Sequence, residues 1–266
     1  MRGHVALVAT MIPVMADPWI DLFDRVADSY DTVVPFFSSF GDRTAAALPP
    51  PAAGARLLDV GSGTGAVALA ARRRGYQVSA VDGSTAMVAR LSARLPAVRV
   101  ADATALPFDD ATFDVVTAGF VLHLLSDPQA ALDEANRVLM PGGLLAFTVV
   151  GPPPEGFEPG DRSHELFAEF SRYLPADSGA NAPFDARGLL ATAGFRDVTR
   201  EHLQVELPLA EPETMWRWYA THGTRRFFDA LDDQRREEFH RHLVDDLASR
   251  PKLILRRTAL LFTART

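Results

Sequence analysis

Two carboxylates and three glycines are the residues whose types and spacing best suit chemistry in this 266-residue chain. Asp59 lies inside a short apolar run with Leu57, Leu58 and Val60, and Gly61, Gly63 and Gly65 alternate directly after it, ahead of an Ala-rich segment reaching Ala71. That order reads as buried strand, tight glycine loop and helix. Alternating glycines let the chain reverse and let a ligand touch bare backbone. The opening of the following helix offers unpaired amide hydrogens to an anion. Gly61, Gly63 and Ala66 also satisfy the GxGxxG/A fingerprint of dinucleotide sites, so the loop alone does not choose its ligand. Asp82 closes the next apolar run, Gln77 to Val81, about 20 residues past the loop, where a carboxylate can accept from both hydroxyls of a ribose. Asp59 differs: a carboxylate there gives a phosphate nothing, whereas it attracts an ammonium group.

The rest of the composition narrows the classes. The chain is 47% hydrophobic and 23% charged, which suits one large globular domain with appended elements. A net charge of -7 disfavours a nucleic-acid partner. Without cysteine there is neither a disulfide nor a thiolate metal site, and the seven histidines show no HExxH spacing, so no metal is expected. His123 is the histidine nearest the expected chemistry and the candidate general base, though an apolar stretch more often carries a packing histidine.

Three stretches resemble one family. DVGSGTG, from Asp59, resembles the D/E-x-G-x-G-x-G of class I S-adenosylmethionine-dependent methyltransferases; DATALPFDDATFDVV, from Asp102, and RVLMPGGLL, from Arg137, resemble two further family segments. The resemblance, closest to the small-molecule members, implies a Rossmann-like α/β fold with a seven-stranded, mostly parallel sheet and an antiparallel last strand. It implies S-adenosylmethionine as cofactor, S-adenosylhomocysteine as product, and a cytoplasmic enzyme. It places Asp59, Gly61 and Gly63 at the amino-acid part, Asp82 at the ribose, and Met87, Asp102 and Ala103 at adenine, with Gly83 also among the cofactor-binding residues. The Ala118 backbone and Tyr30, the latter from a segment resembling FDxxAxxYD, would lie near methionine.

Several elements must position these groups. Residues 1–16 form an apolar extension, Val5 to Ala16 being too short to span a membrane, which takes about 20 residues. It mimics a short signal peptide but suits a contact between copies of the chain better. Residues 17–51 read as cover helices, Trp19 to Tyr30 and Pro35 to Leu48, and residues 52–266 as the binding domain, with lid insertions at about 151–193 and 209–252. Ser84 is placed to cap the helix that carries Met87 and Leu91. Glu211 to Ser249 reads as helical and heavily charged on one side, and Pro141, Gly142 and Gly143 as the turn back into the sheet. Phe36, Phe37, Phe40, His164, Trp216, Tyr219 and His222 are candidate acceptor contacts, and they favour a small hydrophobic acceptor such as a specialised metabolite. Two other readings stay open on the sequence: a protein that binds the same cofactor without transferring methyl, as a cyclase or sensor, and an NAD-dependent oxidoreductase.

Overall fold

The computed structural model describes residues 18–174 and 184–266. The apolar segment Val5 to Ala16, with its proposed role between copies of the chain, lies outside the described residues. Two helices come first, α1 (Pro18–Val26) and α2 (Phe36–Ala47), followed by β1 (Arg56–Val60), α3 (Ala66–Arg73), β2 (Gln77–Asp82), α4 (Thr85–Ser92) and β3 (Val98–Val100). The chain continues through β4 (Phe113–Gly119), α5 (Pro128–Val138), β5 (Leu139–Val149), α6 (Ser163–Phe170), α7 (Ala186–Thr192) and β6 (Arg196–Pro208). Helices α8 (Glu213–Tyr219), α9 (Arg225–Asp229) and α10 (Asp233–Ala248) precede the last strand, β7 (Ile254–Arg265).

All seven strands form one sheet in the order β3-β2-β1-β4-β5-β7-β6, with β7 antiparallel to both neighbours and the rest mutually parallel. The strands β1 and β4 are buried almost throughout, as expected where helices cover both faces. One face packs Leu57, Ala68, Ala71 and Leu91 with the aromatic side chains of α6, α8 and α10; the other packs Leu58, Val116 and Phe147 with Leu132 of α5 and Leu190 of α7. Chain order reverses between β1 and β4, so the carboxyl ends of β1, β2 and β4 flank the crevice where open α/β sheets bind ligands.

Local chemistry explains the boundaries. Ser84 Oγ accepts from the Met87 amide at 3.1 Å, the cap expected from the sequence. The α1 helix stops at Val26, before Tyr30, and Asp31 takes a left-handed φ of 58°. The Asp31 carboxylate then accepts from the amides of Phe37 (2.7 Å) and Ser38 (2.9 Å), holding the start of α2. Gly41 meets α3 so closely that a Cβ there would stand 2.4 Å from the Ala66 carbonyl oxygen, so only glycine permits this helix contact.

Three expectations are refined. Glu211 to Ser249 is three helices, because the chain turns through His222 to Thr224 and Asp232 caps α10 by accepting from the Arg235 amide at 2.8 Å. Pro141 to Gly143 lies inside β5 as an irregularity, with Gly142 at φ 77° and the register slipping between Phe113 and Val115. The α7 helix packs on α5 in the layer behind the sheet and takes no part in the aromatic cover built from α6, α8 and α10.

Candidate functional site

A crevice of about 410 Å³ of open space lies at the carboxyl end of β1 and is lined by Tyr30, Phe37, Thr44, Asp59, the Gly61–Gly63 turn and Phe120. Gly61 and Gly63 take left-handed φ values of 62° and 53°. Val121 fills the space beside Gly61, whereas a Cβ at Gly63 would meet only the Tyr30 ring, at 3.8 Å. The loop therefore presents bare backbone beneath Tyr30.

Asp59 is buried at the crevice floor. Its Oδ1 accepts from Thr117 Oγ1 at 2.7 Å and its Oδ2 from the Ala68 amide at 3.0 Å. Burial pushes the carboxyl up to about 7 despite these two bonds, and the nearby Asp82 charge adds to the rise. Asp82 binds the loop in turn: Oδ2 accepts from the Gly63 amide (2.7 Å) and Oδ1 from Ser84 (2.8 Å), with burial again raising its pKa. Asp24 of α1 accepts from Ser84 Oγ and, at 3.1 Å, from the Ala86 amide, so the first cover helix is tied to the same loop. Ile20, also on α1, lies directly over Gly83, 3.1 Å from where a Cβ would stand.

The sequence candidates are only partly brought together. Tyr30, Phe40, Asp59, Gly61 and Gly63 line the crevice. Met87 is 1% exposed and packs beneath α1 with Leu22, Val26 and Ala27, away from the crevice lining. Asp102 and Ala103 follow the end of β3, where the Ala101 amide donates to the Asp82 carbonyl at 3.1 Å. One Asp102 oxygen accepts from both the amide and the hydroxyl of Thr104, at 2.8 Å each, a local turn that leaves the other oxygen outside it. The Ala118 side chain is buried behind the sheet, and the next residue, Gly119, lines the crevice.

His123 sits in a single 3-10 turn, its Nδ1 buried without a partner among the described residues, and burial lowers its pKa to about 4. His222 is likewise lowered to about 4, but both its nitrogens are committed: Nδ1 donates to the Trp218 carbonyl (2.9 Å) and Nε2 meets Thr224 Oγ1 (3.1 Å). The Tyr219 hydroxyl accepts from Arg257 at 3.0 Å. Trp216 packs against Phe228 and His240, and His164 is exposed on α6; neither lines the crevice.

Phe120 and Trp218, which are not among the sequence candidates, join Phe36, Phe37, Phe40 and Tyr30 in a ring cluster beside the crevice. Phe36 lies 5.1 Å from Phe40 and 4.8 Å from Trp218, Phe40 lies 5.3 Å from Phe120, and Tyr30 stacks on Phe37 at 4.6 Å. Phe120 is held at φ 59°, strained for an aromatic residue, by an amide that donates to both the carbonyl (3.0 Å) and the hydroxyl (3.1 Å) of Thr148. No local pattern announces that conformation; its position next to Gly119 at the end of β4 is the one available hint.

Comparison with known proteins agrees with this geometry. Residues 58–147 match the family model described as a methyltransferase domain. The chain is 32% identical over 254 residues to the nocamycin O-methyltransferase of Saccharothrix syringae, covering 86% of this chain and 90% of that one. It is 35% identical over 202 residues to the demethylmenaquinone methyltransferase of Thermus thermophilus, covering 65% and 91%. The fold is similar to the crystal structure of a putative methyltransferase from Bacillus halodurans, with a TM-score of 0.52 at 21% identity over 86% of this chain and 97% of that one.

Proposed function

The chain belongs to the class I S-adenosylmethionine-dependent methyltransferases, and from that premise we propose that it methylates a small, mostly apolar acceptor, a specialised metabolite, seated against the rings of Phe36, Phe40, Phe120 and Trp218. The ring cluster beside a crevice that carries Asp59 and the glycine turn is the observation that carries this reading. The names of the relatives, an O-methyltransferase of nocamycin and a methyltransferase of demethylmenaquinone, support a small acceptor.

The residues fit the cofactor at its amino-acid end, where a buried acid and uncovered glycine backbone share one crevice. Asp59, Gly61 and Gly63 would hold that end, with Tyr30 over it; Asp82 would take the ribose, with Gly83 beside it, and Asp102 and Ala103 the adenine, while Met87 stays a packing residue beneath α1. The chemistry that S-adenosylmethionine supplies when bound is a methyl group already activated on a sulfonium. What remains for the chain is to hold the acceptor in line with that group, and ordering of this kind is worth roughly 7 to 11 kcal/mol of barrier. The rings exclude water and orient an apolar body. His123, the candidate base, does not line the crevice, and although its Nδ1 has no partner among the described residues, a pKa near 4 makes it a weak base. An acceptor acidic enough to ionise, or a carbon nucleophile beside the rings, asks least of it. Incubation with S-adenosylmethionine and a panel of apolar acceptors tests this: a product heavier by one methylene, formed with release of S-adenosylhomocysteine, is expected. Methylation of RNA or protein with no apolar acceptor used would overturn it.

Asp59 gives the site a pH signature. Its pKa in the fold, about 7, lies above the ordinary 3.8. Its contribution to stability is therefore fully present below the ordinary value and is lost as pH rises through about 7. An ammonium group at the crevice requires the ionised form, so affinity for S-adenosylhomocysteine should climb up to about tenfold per pH unit below 7 and level off above it. Calorimetric titration across pH checks this, and Asp59→Asn should flatten the climb; an unaltered slope in that variant removes the assignment.

A further inference from the structure

Two hydroxyl groups in the crevice have no partner. Thr44 Oγ1 and Ser62 Oγ are both buried, the residues being 1% and 6% exposed, and neither makes a hydrogen bond among the described residues. Both residues line the crevice together with Asp59. A buried hydroxyl left unpaired is costly, and threonine on a helix ordinarily avoids the cost by bonding back to a carbonyl of the preceding turn. Thr44 does not. It is held where it is by the contact one turn earlier, in which Gly41 of α2 presses against Ala66 at the start of α3. That helix start is also the positive end of α3, whose Ala68 amide already points at Asp59. The crevice thus pairs a carboxylate with two idle donors beside a helix amino terminus, which is a receptor for a zwitterion: an ammonium for Asp59 and a carboxylate for the hydroxyls.

We propose that Thr44 and Ser62 donate to the α-carboxylate of the cofactor and so set the preference of this chain for a nucleoside that carries a complete amino acid. The assignment rests on the reading of the crevice as the amino-acid end of the cofactor site. It gives α2 a second duty besides covering the acceptor, because Phe37 and Phe40 stand on the same helix as Thr44.

The test compares two ligands on four proteins. S-adenosylhomocysteine carries the amino-acid end, and 5′-methylthioadenosine lacks it. In Thr44→Val and in Ser62→Ala, affinity for S-adenosylhomocysteine should fall about tenfold or more, as for a lost bond to a charged group, while affinity for 5′-methylthioadenosine stays within about twofold. Thr44→Ser, which keeps the hydroxyl, should bind S-adenosylhomocysteine as the unmodified protein does. The ligand-free Thr44→Val protein should melt at a higher temperature than the unmodified chain, since it loses an unpaired buried hydroxyl and keeps the shape. Unchanged binding of S-adenosylhomocysteine in both hydroxyl-deleting variants overturns the proposal, as does an equal loss for both ligands. Failure of the unmodified protein to bind S-adenosylhomocysteine at all would instead sink the reading of the crevice beneath it.

Discussion

Replacing Asp161 by alanine should lower the stability of the fold by about 3 to 5 kcal/mol, the usual result of stripping one partner from a buried ion pair. The Asp161 side chain has no solvent exposure and binds Arg257 of β7 at 2.8 Å. The same guanidinium donates to Ser163 Oγ (2.8 Å) and to the Tyr219 hydroxyl (3.0 Å), and Asp161 also accepts from the Ser163 amide at 2.9 Å. One buried network therefore joins the irregular segment after β5, the start of α6, the end of α8 and the sheet. Without the carboxylate, Arg257 stays buried with its charge unanswered. Thermal unfolding should show the melting temperature falling by about 10 °C. The double variant Asp161→Ala with Arg257→Met should recover much of the loss, since it leaves no stranded charge. Equal instability of the single and double variants would mean that the network acts through shape alone. Because Tyr219 and Trp218 are neighbours on α8, loosening here should also raise the KM of the acceptor more than it lowers kcat.

Asp82→Ala should weaken binding of S-adenosylhomocysteine by about 1.5 to 3 kcal/mol, ten- to a hundredfold, through the loss of charge-assisted bonds. Two effects add. A carboxylate at the end of β2 is the group assigned to the ribose hydroxyls, and its other lone pairs hold the amides of Gly63 and Ser84 at 2.7 and 2.8 Å. Its removal frees the glycine turn from the start of α4, so the loop must be ordered again when ligand arrives. Asp82→Asn, which keeps one oxygen acceptor, should fall between the two. Calorimetry decides, and full affinity in Asp82→Ala would remove the ribose assignment.

The parts of the site legible in the sequence are those with a local cause. Leu57 to Gly65 announces strand and turn because buried apolar residues and positive φ each demand particular residue types over a few positions, and Ser84 announces its cap in the same way. Asp59 and Asp82 are visible through their offsets from the glycines. The ring cluster is a different matter: Phe36, Phe120 and Trp218 come from α2, the end of β4 and α8, and only the closed fold makes them neighbours. Trp216 is the candidate on the sequence, whereas Trp218 is the ring that meets Phe36, since which face of a seven-residue helix turns inward depends on the helices packed against it. His222 looked available in the sequence, and both its nitrogens prove to be spent on the backbone and on Thr224. Thr44 carried no local signal, because its significance lies in a hydrogen bond that is not made.

The ties that Asp24 makes to Ser84 and Ala86 bear on how finely this protein can be dissected. The stretch that matches the family model, residues 58–147, ends before Thr148 and begins after Asp24, Tyr30, Phe37 and Thr44. Excised as a minimal fragment, it would keep the glycine turn but surrender one wall of the crevice, the outside support of the Ser84 cap and the two strands that finish the sheet. On the proposed reading, recognition of the nucleoside and selection of the acceptor share a single module, and grafting the nucleotide-like half onto another scaffold would carry neither property intact.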